Sequence, residues 1–301
     1  MLQPIKTVLS WIAWPGLLAI CLLITGYGFV MDMPVLFFNL AYVFLIIALL
    51  ALERFMPYEP HWNEDDGQTL ANIAHTLLSK GSVQTLVIFS AAIGLADLVT
   101  PASQPGHGIW PREWPLWIQV IMGVVSAEFG LYWAHRLGHE WLPLWRFHAV
   151  HHSVNRLWIV NTGRFHFVDS LESILMGMGI LLILGAPMEV LVWLSAITAF
   201  IGMLTHCNVQ MRFGPLSWIF NTPGLHRWHH SRDIREGNKN YGENLMLWDQ
   251  LFGTYFNPPR RPPVNIGINE YMPPGFRQQL AHPFRQILGR KKSFLAADAA
   301  E

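Results

Sequence analysis

Long uncharged apolar runs constrain the fold of this chain more than any other feature of its sequence. Residues 8–30 and 34–52 carry no charged side chain, and residues 83–99 and 116–134 carry one acidic residue each. A helix needs about 20 such residues to cross the hydrocarbon core of a bilayer. Charged residues make up 13% of the chain, whereas soluble domains contain about a quarter. The sequence therefore predicts an all-α integral membrane protein with about four transmembrane helices.

Three other segments predict helices or tails that do not span the membrane. Residues 174–204 are apolar but interrupted by Gly185, Ala186 and Pro187. The limbs, about eleven and about fifteen residues long, are short for full spans and favour a re-entrant helical hairpin. Residues 61–81 have apolar side chains at helical spacing, which predicts an amphipathic helix at the membrane surface. The tail, residues 257–301, is rich in proline and then basic, and we expect its end to be loosely ordered.

The basic residues predict how the chain is oriented. Four spans place both termini on one side, together with Lys6, Arg54, Lys80 and the basic tail, whereas the opposite loops hold only Arg112. Because cytoplasmic loops carry an excess of Lys and Arg, this side is predicted to be the cytosol, at the inner membrane if the chain is bacterial. The formal net charge is zero, so the chain has no electrostatic footprint for nucleic acid.

Three histidine clusters occur at helical spacing on the predicted cytosolic side. They contain eight of the fourteen histidines: His135 and His139, then His148, His151 and His152, then His226, His229 and His230. Neutral imidazole is a common ligand for iron, zinc, copper and nickel. Eight imidazoles are too many for one ion with six or fewer positions, so the clusters predict two ions with open positions. His61 and His75 lack clustered partners and are expected to be structural, and His107, between glycines, is expected to face solvent.

The ligand type limits the chemistry. Histidines without cysteine pairs disfavour an iron–sulfur cluster, and a single catalytic zinc needs only three protein ligands. Two irons with imidazole ligands can activate O2 against an unactivated C–H bond, and a site at the bilayer surface has alkyl chains within reach. Imidazoles alone do not identify the metal, because the affinity order favours copper or zinc over iron. A membrane metal-binding or transport protein without turnover is the alternative of another class.

The three clusters, HRLGH, FHAVHH and HRWHH, resemble in order the histidine boxes of the fatty acid hydroxylase superfamily, also called the sterol desaturase family. The resemblance covers residues 110–256 and extends to THCN around His206 and to NYGENLMLWDQLFGTY after the third box. It implies a membrane oxygenase with two irons that uses O2 and electrons from a separate donor protein. Its substrate would be a membrane lipid, such as a fatty acyl chain, a sterol or an alkylglycerol. Hydroxylation is the leading reaction, and desaturation on the same centre is the alternative.

The resemblance also implies roles for individual residues. The implied metal ligands are His135, His139, His148, His151, His152, His206, His226, His229 and His230. His166 is expected to orient a ligand or to contact substrate rather than to bind metal. Glu140, Asn161, Arg164 and Asp233 are candidates to orient ligands, since a ligating histidine usually donates its other N–H to a partner. Ordinary interfacial hydrogen bonding is an equally weighted interpretation of these four residues.

Within each HxxHH box, we expect the first two histidines to bind one ion and the third to face the other. One ion would then be bound by His139, His148, His151, His226 and His229, and the other by His135, His152, His206 and His230. Zinc is expected to be able to replace iron in purified protein.

The chain is predicted to consist of N-terminal spans with the interfacial helix (1–115), a hydroxylase-like catalytic region (116–256) and the tail (257–301). The sequence contains no GxGxxG motif after a strand-like run and no fused haem segment. Electrons are therefore expected from a partner protein, which the basic cytosolic surface could dock.

Overall fold

The computed structural model describes residues 2–83 and 108–297, and this part of the chain is helical. In chain order the α-helices are α1 (Leu2–Val30), α2 (Pro34–Phe55), α3 (Thr69–Ala74), α4 (Leu116–Glu140), α5 (Leu142–His152), α6 (Phe167–Leu184), α7 (Met188–His206), α8 (Leu216–Ile219), α9 (Pro223–His229), α10 (Ile234–Gly237), α11 (Leu247–Leu251) and α12 (Phe276–Ala297). Strand pairing in the described residues is limited to three isolated β-bridges. The predicted all-α fold class is confirmed.

Five of these helices, α1, α2, α4, α6 and α7, are long and apolar enough to cross a membrane. Helices α1, α2 and α7 share one apolar core, which contains Trp14, Leu45 and Phe200. The helices are consistent with the predicted multi-pass membrane protein. The predicted span at 83–99 lies outside the described residues, apart from Val83, and so does His107.

The hairpin at residues 174–204 has longer limbs than the sequence predicts. Its helices α6 and α7 contain 18 and 19 residues, which corresponds to about 27 Å each at ~1.5 Å per residue. This length approaches the ~30 Å hydrocarbon core, so the reason for expecting a re-entrant hairpin no longer holds. The limb lengths were underestimated because each helix includes polar residues at the end that enters the site, among them Asp169 on α6 and His206 on α7. Whether the hairpin spans the membrane or re-enters it stays a prediction.

The segment predicted as an amphipathic surface helix forms a 3₁₀ turn at Pro60–Asn63, helix α3 and a π-helical turn at His75–Lys80. Its apolar side chains point outward, with Leu70 82% and Leu77 65% exposed. The opposite side, including Asn72 and His75, is buried. An exposed apolar face on a helical segment beside membrane helices fits the predicted position at the membrane surface.

Part of the tail forms α12, which extends from Phe276 to Ala297 and packs against α5 and α3. The predicted loose order of the tail's end concerns residues 298–301, which lie outside the described residues. The Gln279 side chain is buried and bonds to Nε2 of His75 at 2.9 Å. Nδ1 of His75 lies 3.1 Å from the Phe165 carbonyl oxygen. Burial lowers the pKa of His75 from 6.5 to about 4, so the ring is neutral at pH 7. These contacts agree with a structural role for His75.

Glycines bring α4 and α6 into direct contact. A Cβ on Gly177 of α6 would lie 2.7 Å from Leu131 Cδ2 on α4, and a Cβ on Gly130 of α4 would meet the carbonyl of Met176. Real Cβ atoms do not approach a backbone carbonyl this closely, so the helix contact requires glycine at position 130, whereas at position 177 the Leu131 side chain would have to shift. The close contact places the start of α6, with Asp169, beside the histidines at the end of α4.

Candidate metal centre

Nine histidines lie in two adjacent groups. The five-histidine group comprises His135, His139, His148, His152 and His229, and the four-histidine group comprises His151, His206, His226 and His230. In each group, one potential ligand atom per residue lies within 4.8 Å of the others. The rings of His152 and His230 stack across the two groups with centroids 4.2 Å apart. All nine histidines identified in the sequence are therefore brought together, at two neighbouring positions.

Four helices supply these side chains. The last turns of α4 and α7 carry His135, His139 and His206, and α5 and α9 carry the HxxHH boxes, with His230 directly after α9. In both boxes the first and third histidines fall in the same group, and the middle one falls in the other. The predicted division, which paired the first two, is therefore wrong. At ~100° per residue, positions i and i+4 are about 40° apart around a helix, whereas i and i+3 are about 60° apart.

Outward hydrogen bonds hold six of the rings. The Nδ1 atoms donate as follows: His135 to the Tyr241 carbonyl at 2.8 Å, His139 to Asn238 Oδ1 at 3.1 Å, His148 to the Asp169 carboxylate at 3.1 Å, His151 to the Arg164 carbonyl at 3.2 Å, His206 to Asn161 Oδ1 at 3.3 Å and His229 to the Lys239 carbonyl at 2.8 Å. A ring that donates through Nδ1 has its lone pair on Nε2. That is the tautomer a metal ligand requires.

The ring nitrogens that face the interior of the two groups have no ordinary hydrogen-bond partner. Nε2 of His135, His148 and His229 is buried without a hydrogen bond in the described residues. Other ring nitrogens face each other, with Nε2 of His206 and His226 only 2.8 Å apart. Buried polar atoms are normally satisfied, and two converging lone pairs repel each other. Metal ions would satisfy these atoms, so the residues present fit metal binding.

Six of these histidines lie outside the candidate spans and have pKa values well below 6.5: His148, His151, His152, His226, His229 and His230. Burial is the main cause in each case, and neighbouring histidines add to it. The rings are therefore neutral at pH 7, the protonation state in which imidazole binds a metal.

Comparisons with known proteins place the chain in a family. The fatty acid hydroxylase model matches residues 120–254. The chain is 52% identical over 295 residues to the ornithine lipid hydroxylase OlsE of Rhizobium tropici, covering 94% of this chain and 87% of that protein. The chain belongs to the fatty acid hydroxylase family.

Less similar relatives match this chain over shorter stretches. An alkylglycerol monooxygenase of Xenopus tropicalis is 30% identical over 177 residues, 58% of this chain and 37% of that protein. The fatty acid hydroxylase vlmA of Lecanicillium sp is 29% identical over 186 residues, 55% of this chain and 50% of that protein. No solved structure matches the chain. The prediction of an oxygen-dependent lipid hydroxylase is confirmed. The family and the two histidine groups together indicate that the enzyme binds metal.

Two of the residues proposed to orient ligands contact histidines of this hydroxylase. Asn161 bonds to His206, and its amide also donates to the Arg156 carbonyl at 2.7 Å. Arg164 acts through its backbone carbonyl, which accepts from His151. Its buried guanidinium donates to the Val150 carbonyl at 3.0 Å. Arg164 therefore connects the segment after α5 to α5, the helix that carries the second histidine box.

The other three proposed residues have no hydrogen bond to a box histidine among the described residues. Glu140 is partly exposed and pairs with Arg136 at 3.0 Å. Asp233 begins α10 and pairs with the exposed Arg235 at 2.9 Å. His166 is fully buried, accepts from the Val168 N–H at 3.1 Å and belongs to neither histidine group. For Glu140 and Asp233, the interfacial hydrogen-bonding interpretation describes the observed contacts.

Sequence reasoning missed the residues that support the rings most directly. Asp169 and Asn238 bond to His148 and His139, and Asp249 accepts from the Tyr241 and Gly242 N–H groups at 2.8 and 2.7 Å. Asp169 had a visible signal, because it is an acid at the start of an otherwise largely apolar run. Asn238 had none, since His139 lies far away in the chain. Asp249 supports a ring only indirectly, because it holds the backbone of Tyr241, whose carbonyl accepts from His135.

Replacing Asp169 with Asn is expected to weaken metal binding about 10–100-fold, as substitution of such ligand-orienting carboxylates usually does. The amide keeps the shape but removes the negative charge that holds the His148 ring. The change is measured by chelator competition followed by metal analysis. Glu172→Gln on the same helix is the matched control and should keep native affinity. Native affinity in Asp169→Asn would contradict the assigned role.

Proposed function

We propose that this protein hydroxylates an ornithine-containing lipid at two irons held by the two histidine groups. The substrate is supported by the 52% identity to the ornithine lipid hydroxylase of Rhizobium tropici across 94% of this chain. The two-ion site is supported by the division of nine histidines into groups of five and four. Iron is supported by the need to activate O2, which zinc cannot do because it has no redox chemistry.

The bound irons would supply the O2 activation, and this chain supplies the environment for it. Hydroxylation consumes one C–H bond, one O2, two electrons and two protons, and yields one C–OH and one water. The neutral rings, held by outward hydrogen bonds, keep their geometry without reorganising. Burial of all but one of the nine histidines excludes bulk water from the reacting carbon.

We infer that a separate donor protein supplies the electrons, as the resemblance to this family implies. We also infer that the site faces the cytosol. The site lies at the end of α4 that carries Arg136, next to α5 with Arg146, and the positive-inside rule assigns basic residues to the cytosolic side. A cytosolic site would be accessible to a soluble reductant.

The proposal is tested with purified, iron-loaded protein in lipid nanodiscs that contain ornithine lipid. Reduced ferredoxin with its reductase is added under isotopically labelled O2, and the lipid is analysed by mass spectrometry. The expected product carries one labelled oxygen atom. A product that has lost two hydrogens and gained no oxygen would instead establish desaturation. Unchanged ornithine lipid, despite full iron loading and reduction, would contradict the proposed substrate.

A further inference from the structure

A cavity of about 430 Å³ opens beside the box helix α5. One wall is a face of α5 that includes Trp145 and Arg146, and the opposite wall is formed by His282 and Gln286 of α12. The segment before α12 closes a third side with Glu270. The volume lies within the ~300–1,000 Å³ range of small-ligand sites. The cavity is therefore large enough for a lipid head group.

Trp145 separates this cavity from the five-histidine group. Its ring centroid lies 5.4 Å from that of His139, 6.5 Å from that of His148 and 5.8 Å from that of His152. One indole ring therefore lies between a molecule in the cavity and the candidate metal position.

Two candidate spans end next to the helices that line the cavity. Helix α4 ends at Glu140 immediately before α5, and α6 begins at Phe167, whose ring lies 6.3 Å from Phe284 of α12. At the cavity, Leu142 is 45% exposed and Tyr271 is 74% exposed. Exposed apolar residues beside emerging spans are typical of the interface, where lipid head groups lie.

The cavity carries opposite charges that are not paired with each other. Arg146 and Glu270 both line it, and neither has a hydrogen bond or ion pair with any described residue. One unpaired cation and one unpaired anion complement a ligand that carries both charges. An ornithine joined to a fatty acid through one amine keeps a carboxylate and an ammonium group. Its head group therefore matches the cavity in both charge and size.

We propose that this cavity binds the zwitterionic head group of the lipid substrate, with Arg146 at its carboxylate and Glu270 at its ammonium group. The identity of the lipid rests on the proposed function. The cavity then holds the head group beside the five-histidine group and selects aminolipids over lipids with a single charge.

The first test uses the unchanged protein and three short-chain probes. These are an ornithine lipid, its carboxyl methyl ester and its N-acetyl derivative, and binding is measured by native mass spectrometry in detergent. Because each modification removes one charge, each is expected to weaken binding ~5–10-fold, less than for a buried pair because the cavity is open to solvent. Equal binding of all three probes would overturn the proposal.

The second test assigns each charge to its residue. Arg146→Gln should remove the preference over the methyl ester but keep the preference over the N-acetyl lipid, and Glu270→Gln should do the reverse. Arg277→Gln on α12 and Glu189→Gln at the start of α7 are exposed charge-removal controls outside the cavity, and both should bind as the unchanged protein. Thermal unfolding and iron content verify that each variant is folded.

The results of these experiments distinguish a failure of the cavity proposal from a failure of the proposed function. If the protein converts ornithine lipid but both cavity variants keep the full probe preferences, the cavity proposal is wrong and the function stands. If the protein neither converts nor binds ornithine lipid, both proposals are wrong. Both proposals are supported if the unchanged protein converts ornithine lipid and each variant loses only its own preference, Arg146→Gln the one over the methyl ester and Glu270→Gln the one over the N-acetyl lipid.

Discussion

Paired histidine substitutions on α9 are expected to remove one iron or two, depending on which histidines are paired. His226 and His230 lie in the four-histidine group, and His229 lies in the five-histidine group. Replacing His226 and His230 with Ala should leave about one iron per chain, because only one group loses ligands. Replacing His226 and His229 should reduce both groups and leave little iron. Hydroxylation should fall in both variants by more than the ~10–100-fold typical of ligand-supporting residues.

The same experiment distinguishes two ways of dividing the ligands. If the first two histidines of each box shared an ion, His226 and His229 would belong together, and the two double variants would exchange their iron contents. Iron per chain is measured by mass spectrometry after gel filtration, with thermal unfolding as a check of folding. His61→Ala is the control, because His61 is exposed and pairs with Glu64 at 2.9 Å. Equal iron in both double variants would contradict two separate groups.

The site histidines could be identified from the sequence because helical spacing alone places imidazoles on a common face. Their division between two positions depends on how α4, α5, α7 and α9 face one another, and spacing within one helix does not contain that information. His151 illustrates the limit. It is three residues from His148, but its group is completed by His206 and His230 from two other segments.

The supporting contacts were harder to predict for a different reason. Three of the six outward partners are backbone carbonyls, those of Tyr241, Arg164 and Lys239. A carbonyl is present at every position, so residue identity does not mark it. The apolar runs predicted the long helices α1, α2 and α4 correctly, but the limits of α6 and α7 were misjudged. Asp169 and His206 lie inside those helices because contacts in the site satisfy their polar groups.

Asp249 is expected to be the residue outside the histidine groups whose loss destabilises the site most. It is fully buried, and its carboxylate accepts from the Tyr241 N–H at 2.8 Å, the Gly242 N–H at 2.7 Å and the Thr254 hydroxyl at 2.6 Å. The Tyr241 carbonyl in turn holds His135. Asp249→Ala leaves the two backbone N–H groups without an acceptor, while the Thr254 hydroxyl keeps Tyr132 as a partner at 3.0 Å. Each buried unsatisfied group costs about 1–3 kcal/mol. The total approaches the ~5–15 kcal/mol stability of a typical domain.

Asp249→Ala should therefore unfold at a much lower temperature and lose iron from the five-histidine group first, because the His135 ring is no longer held. Differential scanning calorimetry in detergent, followed by iron analysis of the folded fraction, measures both effects. Asp249→Asn keeps one acceptor oxygen and should fall between the Ala variant and the unchanged protein. Asp233→Ala is the matched control, since Asp233 is partly exposed and pairs with Arg235 outside the histidine groups. Similar unfolding temperatures for the Asp249→Ala and Asp233→Ala variants would mean that the Tyr241 loop does not depend on the buried carboxylate.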